Sequence, residues 1–348
     1  MDSLEAELAG RMQRRYARLV GRGTTALYIA LRALALVDKA GEVILPDMIC
    51  SAVLDAVLLA GFVPVFADIT RQRFGLNIDD VRRKISPHTR AALIPHVFGY
   101  VTTQPDDLDI PIIEDAVQGL GGKTPAGPVG TLSKIAFTSF HESKMIEGRG
   151  GLVVTDDPAL WEAICSIDLD TIPMPSHDLS LRFRQYYHQI EAVRSTLICE
   201  FDRRDENIAA IRKDWATLST RTVVRNEKAA YLHDRLSKFP ELLRLPEIAA
   251  GDAIWRYTFA APDETTAHWI LRHLQSAGLS GSHLYPSLAS IFEDRSALYS
   301  SKIAPALINL WVDADTSSAQ LEKAVAVIAA APYFYKSNGI PYSEISDI

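Results

Sequence analysis

Between Glu42 and Val154 short, unbroken apolar runs alternate with helical stretches, and this alternation limits the fold more than any other feature of the chain. Glu42–Leu45 reads as a strand ending at Pro46-Asp47, Met48–Ala60 as a helix stopped by Gly61, and Phe62–Ala67 as a strand ending at Asp68. Ile78–Ile85 reads as a short helix, Ala91–Ile94 as a strand ending at Pro95-His96, and Ile110–Ile113 as a strand ending at Glu114-Asp115. Two further runs, Ile135–Thr138 and Leu152–Val154, bracket a polar loop. Strands apolar at every position are buried on both faces, as in a parallel sheet. The pattern predicts a three-layer α/β domain, a mostly parallel sheet with helices on both sides.

In such sheets ligands sit outside the carboxyl ends of the strands. Those ends carry Asp47, His96, Glu114-Asp115 and Ser139-Phe140-His141, so one crevice is expected to collect them. The stretch Thr138–Gly151 (TSFHESKMIEGRGG) holds a single lysine, Lys144, followed by Gly148, Gly150 and Gly151. A lysine walled in by apolar neighbours loses hydration, and its pKa falls by as much as about 3–5 units when fully buried. Its free amine can then be trapped by a carbonyl as a Schiff base. The same stretch also reads as a loop with an ordinary surface lysine. Earlier, Gly23-Thr24-Thr25 opens an apolar helix, and free backbone N–H groups at such a start are a seat for phosphate. A plain helix cap with nothing bound is the other reading.

At 348 residues the chain suits two domains. Ser3–Val20 reads as one amphipathic helix, with Leu4, Leu8, Met12, Tyr16 and Leu19 on one side. The arginines Arg11, Arg14, Arg15, Arg18 and Arg22 then read as a solvated face, with an anion site as the other reading. Beyond Val154, Asp168–Arg184 reads as a proline-containing loop and Tyr186–Leu218 as a long connecting helix. From Glu227 the pattern is α+β: helices at Tyr231–Phe239, Thr266–Ala277 and Ser317–Ala330, strands at Ile254–Ala260 and Ile308–Val312. We therefore expect a large domain over residues 1–226, connecting helix included, and a small C-terminal domain over 227–348.

A net charge of −7 argues against nucleic acid as a partner, because phosphate backbones demand a basic footprint. Cys50, Cys165 and Cys199 are scattered, with no paired or metal-ligand spacing, and read as reduced thiols. The N-terminus is charged and no apolar stretch is long enough for a bilayer, so a cytoplasmic protein without membrane attachment or metal is expected.

Six segments occur in order: GTTAL (Gly23–Leu27), EVILPD (Glu42–Asp47), GFVPVFADI (Gly61–Ile69), TRAALIPHVFG (Thr89–Gly99), IEDAVQGLGG (Ile113–Gly122) and SFHESKMIEGRGG (Ser139–Gly151). Together they resemble the DegT/DnrJ/StrS family of sugar aminotransferases, which depend on pyridoxal 5′-phosphate (PLP) and have the fold of type I PLP enzymes. The resemblance is dense over Gly21–Thr155 and thinner beyond, where SHLYPSL (Ser282–Leu288) is similar to a C-terminal segment of the family. It implies that Lys144 bonds the cofactor's aldehyde and serves as the proton carrier. It implies that Asp115 pairs with the pyridine nitrogen, Gln118 bonds the ring hydroxyl, and Val117 packs on a ring face. Gly23, Thr24 and Ser139 would bind the phosphate, while His96 and His141 match motif histidines near the site; a satisfied structural histidine is the other reading of His96.

Two departures stand out. Where the family carries a large aromatic stacked on the outer ring face, this chain has Cys50. The family's Gly-x-Asn-x-Arg loop, which reaches the partner subunit's cofactor, reads HDLSLRFRQYY here, leaving Arg182 or Arg184 as candidates. Arg149 also stands where the family has an acid. The implied function is transfer of an amino group from an amino acid, glutamate by resemblance, to a keto group of a nucleotide-linked sugar, in a homodimer with shared active sites. Two alternatives remain: a PLP enzyme using a non-sugar acceptor or performing elimination, and a non-catalytic binding module. A relative that dehydrates its substrate has histidine at the lysine position, so Lys144 favours amino transfer.

Overall fold

The computed structural model describes residues 2–172, 184–240, 243–292 and 298–332, without the side chains of 184–188 and 191. Its centre is a seven-stranded sheet in the order β1-β9-β8-β5-β4-β2-β3. The strands are β1 (Tyr16–Val20), β2 (Glu42–Pro46), β3 (Val63–Ala67), β4 (Thr89–Pro95), β5 (Ile112–Asp115), β8 (Ile135–Phe140) and β9 (Gly150–Thr155). The five strands from β3 to β8 run parallel; β9 and β1 are antiparallel additions at one edge. A two-stranded ribbon, β6 (Lys123–Thr124) and β7 (Gly127–Pro128), hangs from the β5–β8 connection. The chain therefore has the expected α/β layering, and for the expected reason: β8 and β9 are buried at nearly every position.

The helices α2 (Gly23–Val37), α3 (Ser51–Leu59) and α5 (Pro158–Ser166) cover one face of this sheet. In α2 nine residues of the first eleven are buried, which fits its nearly continuous apolar sequence. The other face is covered by a core in which Phe140, Ile146 and Trp215 meet Tyr257 and Phe259 of a second, three-stranded sheet. That sheet has the order β10-β12-β11, with β10 (Arg256–Ala260), β11 (Gly281–Ser282) and β12 (Leu307–Trp311), all antiparallel. The helices Glu264–Ser276 and Ser318–Ala329 flank it.

Two expectations are corrected. Ser3–Val20 is not one helix: α1 (Ser3–Arg11) is followed by Gln13 at a left-handed φ of 54°, and Tyr16–Val20 runs as β1 against β9. Helical spacing of Leu4, Leu8 and Met12 continued by chance through Tyr16 and Leu19, whereas pairing with β9 is a long-range contact that spacing does not encode. Tyr186–Leu218 is two helices, Arg184–Leu197 and Asp205–Leu236. The second is 32 residues long, so residue 226 falls inside it. The loop expected over Asp168–Arg184 lies largely outside the described residues, as does most of the tail from Pro332.

Among the described residues no helix is long and apolar enough to cross a membrane, and no cluster of three or more His, Cys, Asp or Glu is placed to hold a metal.

Candidate active site

A cavity of about 670 Å³ opens at the carboxyl ends of β5 and β8, a volume suited to a small organic ligand. Gly23, Thr24, Cys50, Asp115, Gln118, Ser139 and Lys144 all line it, together with Val117, His141 and Arg149. Every cofactor-site residue expected from the sequence is therefore in one place.

Its rim at α2 is built by close approach. A Cβ on Gly23 would lie 2.6 Å from Cβ of Ser139, so only glycine lets the helix start against β8. Arg22, the residue before the helix, offers no side-chain cap, and the first bond of the helix runs from Ala26 N–H to Arg22 C=O at 3.0 Å. The amides ahead of Ala26 consequently have no acceptor within the helix and stand at its positive end beside the Ser139 and Thr24 hydroxyls.

Asp115 ends β5 and is buried. One of its oxygens accepts a 2.9 Å bond from Val117 N–H; no other hydrogen bond to its carboxylate occurs among the described residues. Burial pushes its carboxyl up to about 6, against partial relief from that bond. Gln118 is locked in both directions: its Oε1 accepts from Phe98 N–H at 2.7 Å, and its Nε2 donates to Tyr285 Oη at 2.8 Å. Tyr285 stacks on Phe98 with ring centres 5.7 Å apart, and burial holds its hydroxyl protonated far above the ordinary range.

Lys144 sits in the loop between β8 and β9, its N–H bonded to His141 C=O at 2.8 Å. The loop is clamped from below by the long helix. Asp214 accepts from Glu147 N–H at 2.8 Å, and Asn207 accepts from Arg149 N–H at 2.7 Å while donating to Arg149 C=O at 2.8 Å. Gly148, at φ 139°, lies against Ile211, where a Cβ would come within 2.6 Å. Burial lowers the lysine's pKa; Arg256 lowers it further, and Cys50 and Asp115 oppose the fall. Cys50 precedes α3, with burial raising its thiol.

Other strand-end groups do not reach the cavity, contrary to the single crevice expected. Asp47 is wholly buried, accepting from Ala289 N–H at 2.5 Å and Ser300 Oγ–H at 2.6 Å. His96 takes Thr102 N–H on Nδ1 at 3.0 Å, so its proton is on Nε2 and is donated to Glu114 at 3.1 Å. Glu114 also accepts from Gly130 and Leu132 N–H, at 2.6 and 2.9 Å. His96 is thus a satisfied structural histidine, the second of its two readings. His141 is on the cavity wall but exposed, and among the described residues its side chain bonds within its own loop to Ser143. Arg182 and the side chain of Arg184 lie outside the described residues.

Sequence reasoning missed Phe98 and Tyr285, which hold Gln118, and Trp255, whose ring faces Lys144. Phe98 and Tyr285 lay within the segments TRAALIPHVFG and SHLYPSL, and Trp255 in none of the motif segments.

A family model for the DegT/DnrJ/EryC1/StrS aminotransferase family matches residues 1–329. The chain belongs to this family. It is 29% identical over 208 residues to the GDP-perosamine synthase of Escherichia coli O157:H7, covering 57% of this chain and 55% of that protein. It is 30% identical over 258 residues to a UDP-N-acetyl-3-dehydro-alpha-D-glucosamine 3-aminotransferase of Acidithiobacillus ferrooxidans, covering 72% and 64%. The chain thus spans somewhat more than half the length of these curated relatives. Among solved structures, the Escherichia coli GDP-4-keto-6-deoxy-D-mannose-3-dehydratase with bound hydrated PLP superposes with a TM-score of 0.75 at 17% identity, covering 93% and 90%. This places the fold among PLP enzymes of that architecture.

Proposed function

We propose that the chain is a PLP-dependent aminotransferase that takes an amino group from an amino acid, glutamate first, and delivers it to a keto group of a nucleotide-linked sugar. One observation carries the reading: a single cavity holds a partly buried lysine amine, an under-bonded buried carboxylate, and the uncapped start of a helix. Those three groups fit PLP. The amides ahead of Ala26, with Thr24 and Ser139 hydroxyls, suit its phosphate. Asp115, with one bond made, suits a protonated pyridine nitrogen, and Gln118, held by Phe98 and Tyr285, suits the ring hydroxyl. Val117 and Cys50 would lie against the ring.

When bound, PLP supplies an aldehyde for the amine and a ring that takes up the electron pair left when the donor's Cα–H bond breaks. The chain's own residues do the rest. Asp115 would hold the ring nitrogen in its protonated form, the two opposite charges stabilising each other. Lys144 Nζ, whose pKa burial lowers, would take the proton from the donor's Cα and return it one position away. Gln118, held by Phe98 and Tyr285, would orient the ring.

The relatives' printed names support the sugar-nucleotide acceptor, since both describe such compounds. A homodimer with shared sites, and a division into residues 1–226 and 227–348, belong to the same proposal. The test is spectroscopic. Added PLP should give a visible band that glutamate bleaches and a keto-sugar nucleotide restores, and borohydride should fix the cofactor on the Lys144 peptide. A protein that stays colourless with PLP overturns the reading.

A further inference from the structure

The proposed chemistry asks the Lys144 amine to leave the cofactor, wait nearby, and return. The place where it waits is built by a tryptophan from the other half of the chain. Lys144 Nζ lies 4.4 Å from the centre of the Trp255 ring. Trp255 is 3% exposed and fixed at four points. Its Nε1–H donates to Ser143 C=O at 2.6 Å, in the lysine's own loop. Its N–H donates to Phe98 C=O at 2.8 Å, and its own carbonyl accepts from Arg225 and Arg256 Nη1, both at 3.1 Å. An indole tied to the residue beside the lysine keeps its face toward the amine whatever bond the amine makes or loses.

The ring also faces a guanidinium. The Arg256 guanidinium is 4.6 Å from the Trp255 ring and 4.1 Å from that of Trp311, and the residue is 4% exposed. Its nearest carboxylate is Asp313, at 3.6 Å, and its Nε makes no hydrogen bond among the described residues. A tryptophan face attracts an ammonium ion. A face already shared with a buried guanidinium attracts it less, because the two cations repel in a low dielectric. The indole thus offers shape and contact for the amine without a strong preference for its charged form. The other charged or titratable groups that bear on the amine are Cys50, at the start of α3, and Asp115, at the end of β5. Tyr285, behind Gln118, stays neutral.

We propose that Trp255 is the positioning residue of Lys144, the seat of its free amine, and that Arg256 on the same ring favours release of that amine's proton. The proposal rests on the role given to Lys144 above, so its test has one arm that needs neither cofactor nor turnover. In cofactor-free protein, acylation of Lys144 by acetic anhydride is followed against pH by peptide mass. Arg256→Met removes the like charge and should move the half-maximal pH for Lys144 upward. An unchanged midpoint overturns the role of Arg256. In the second arm, Trp255→Leu should slow the glutamate half-reaction about ten- to a hundredfold, as a misplaced reacting group does. Trp255→Phe, which keeps an aromatic face of nearly the same reach, should recover most of that loss. If Leu and Phe variants lose equally, or neither loses, the seat is not the indole face. If the wild type neither binds PLP nor responds to glutamate, the aminotransferase reading fails; the acylation midpoint still decides the role of Arg256, and an acylation rate of Lys144 unchanged in Trp255→Leu overturns the seat.

Discussion

Glu114 and Asp115 are neighbours at the end of one strand, both buried, and the fold treats them in opposite ways. Successive strand residues point to opposite sides. Glu114 turns toward His96 and the Gly130–Leu132 turn and accepts three hydrogen bonds, so its charge is fully used in holding the β5–β8 connection. Asp115 turns into the cavity and accepts one. A buried carboxylate without partners is costly unless a cation arrives, and this asymmetry marks Asp115 as a ligand group and Glu114 as scaffold. The same contrast separates Asp47, whose oxygens both have donors from the C-terminal half, from Ser139, which faces open space.

The contrast can be broken at four places. The largest effect belongs to Lys144→Ala, which removes the group the cavity is arranged around. The glutamate half-reaction, followed by absorbance, should fall at least about 10³-fold. Turnover that survives would remove the reason for reading the Asp115 side as functional. Next is Glu114→Ala. It strands buried donors on His96, Gly130 and Leu132 and should cost about 3–5 kcal/mol in urea unfolding, as removing one partner of a buried charged network does. A cost below about 1 kcal/mol would mean Glu114 is not scaffold.

Asp115→Asn should act with the opposite sign on stability while lowering turnover. Burial raises the Asp115 carboxyl from 3.8 to about 6, so the stability it contributes to the cofactor-free protein is complete below about pH 4 and lost as pH rises through 6. Asparagine has no such loss. The variant should therefore be more stable at pH 7, by up to about 3 kcal/mol at roughly 1.4 kcal/mol per unit, and equal to wild type near pH 4. A variant no more stable at pH 7 would mean that Asp115 is not strained by its setting. The smallest effect is Tyr285→Phe. The stack on Phe98 remains, but Gln118 Nε2 loses its acceptor, worth about 0.5–1.5 kcal/mol. PLP affinity measured by absorbance titration should weaken about two- to tenfold, with kcat little changed. Unchanged affinity would separate Gln118 from the ring.

Much of this was legible in the sequence because Cys50, Asp115, Ser139 and Lys144 all belong to one alternating α/β segment. Once strands of that kind are parallel, their carboxyl ends share an edge, and groups at those ends meet without further information. Which way each group points was not legible. Asp47, His96 and Glu114 stand at the same ends, but their partners Ala289, Ser300, Thr102 and Gly130 are brought in by later packing. β1 was misread for a related reason. Its pairing with β9 spans more than a hundred residues, and a local helical spacing gave no warning of it. Trp255 lay unnoticed in an apolar run, since what it covers is set by Phe98 and Ser143 rather than by its neighbours in sequence.

The helix Asp205–Leu236 touches both halves of this arrangement. Near its start Asn207 and Asp214 grip the lysine loop; towards its end Arg225, Asn226 and Lys228 bond the run Asp252–Trp255 and the Asp313 turn. At 1.5 Å per residue it is a rod of about 48 Å, on which one degree of tilt moves a tip by about 0.8 Å. The amine and the indole facing it are therefore mounted on a common beam, and a load that bends one support away from the sheet carries the other with it.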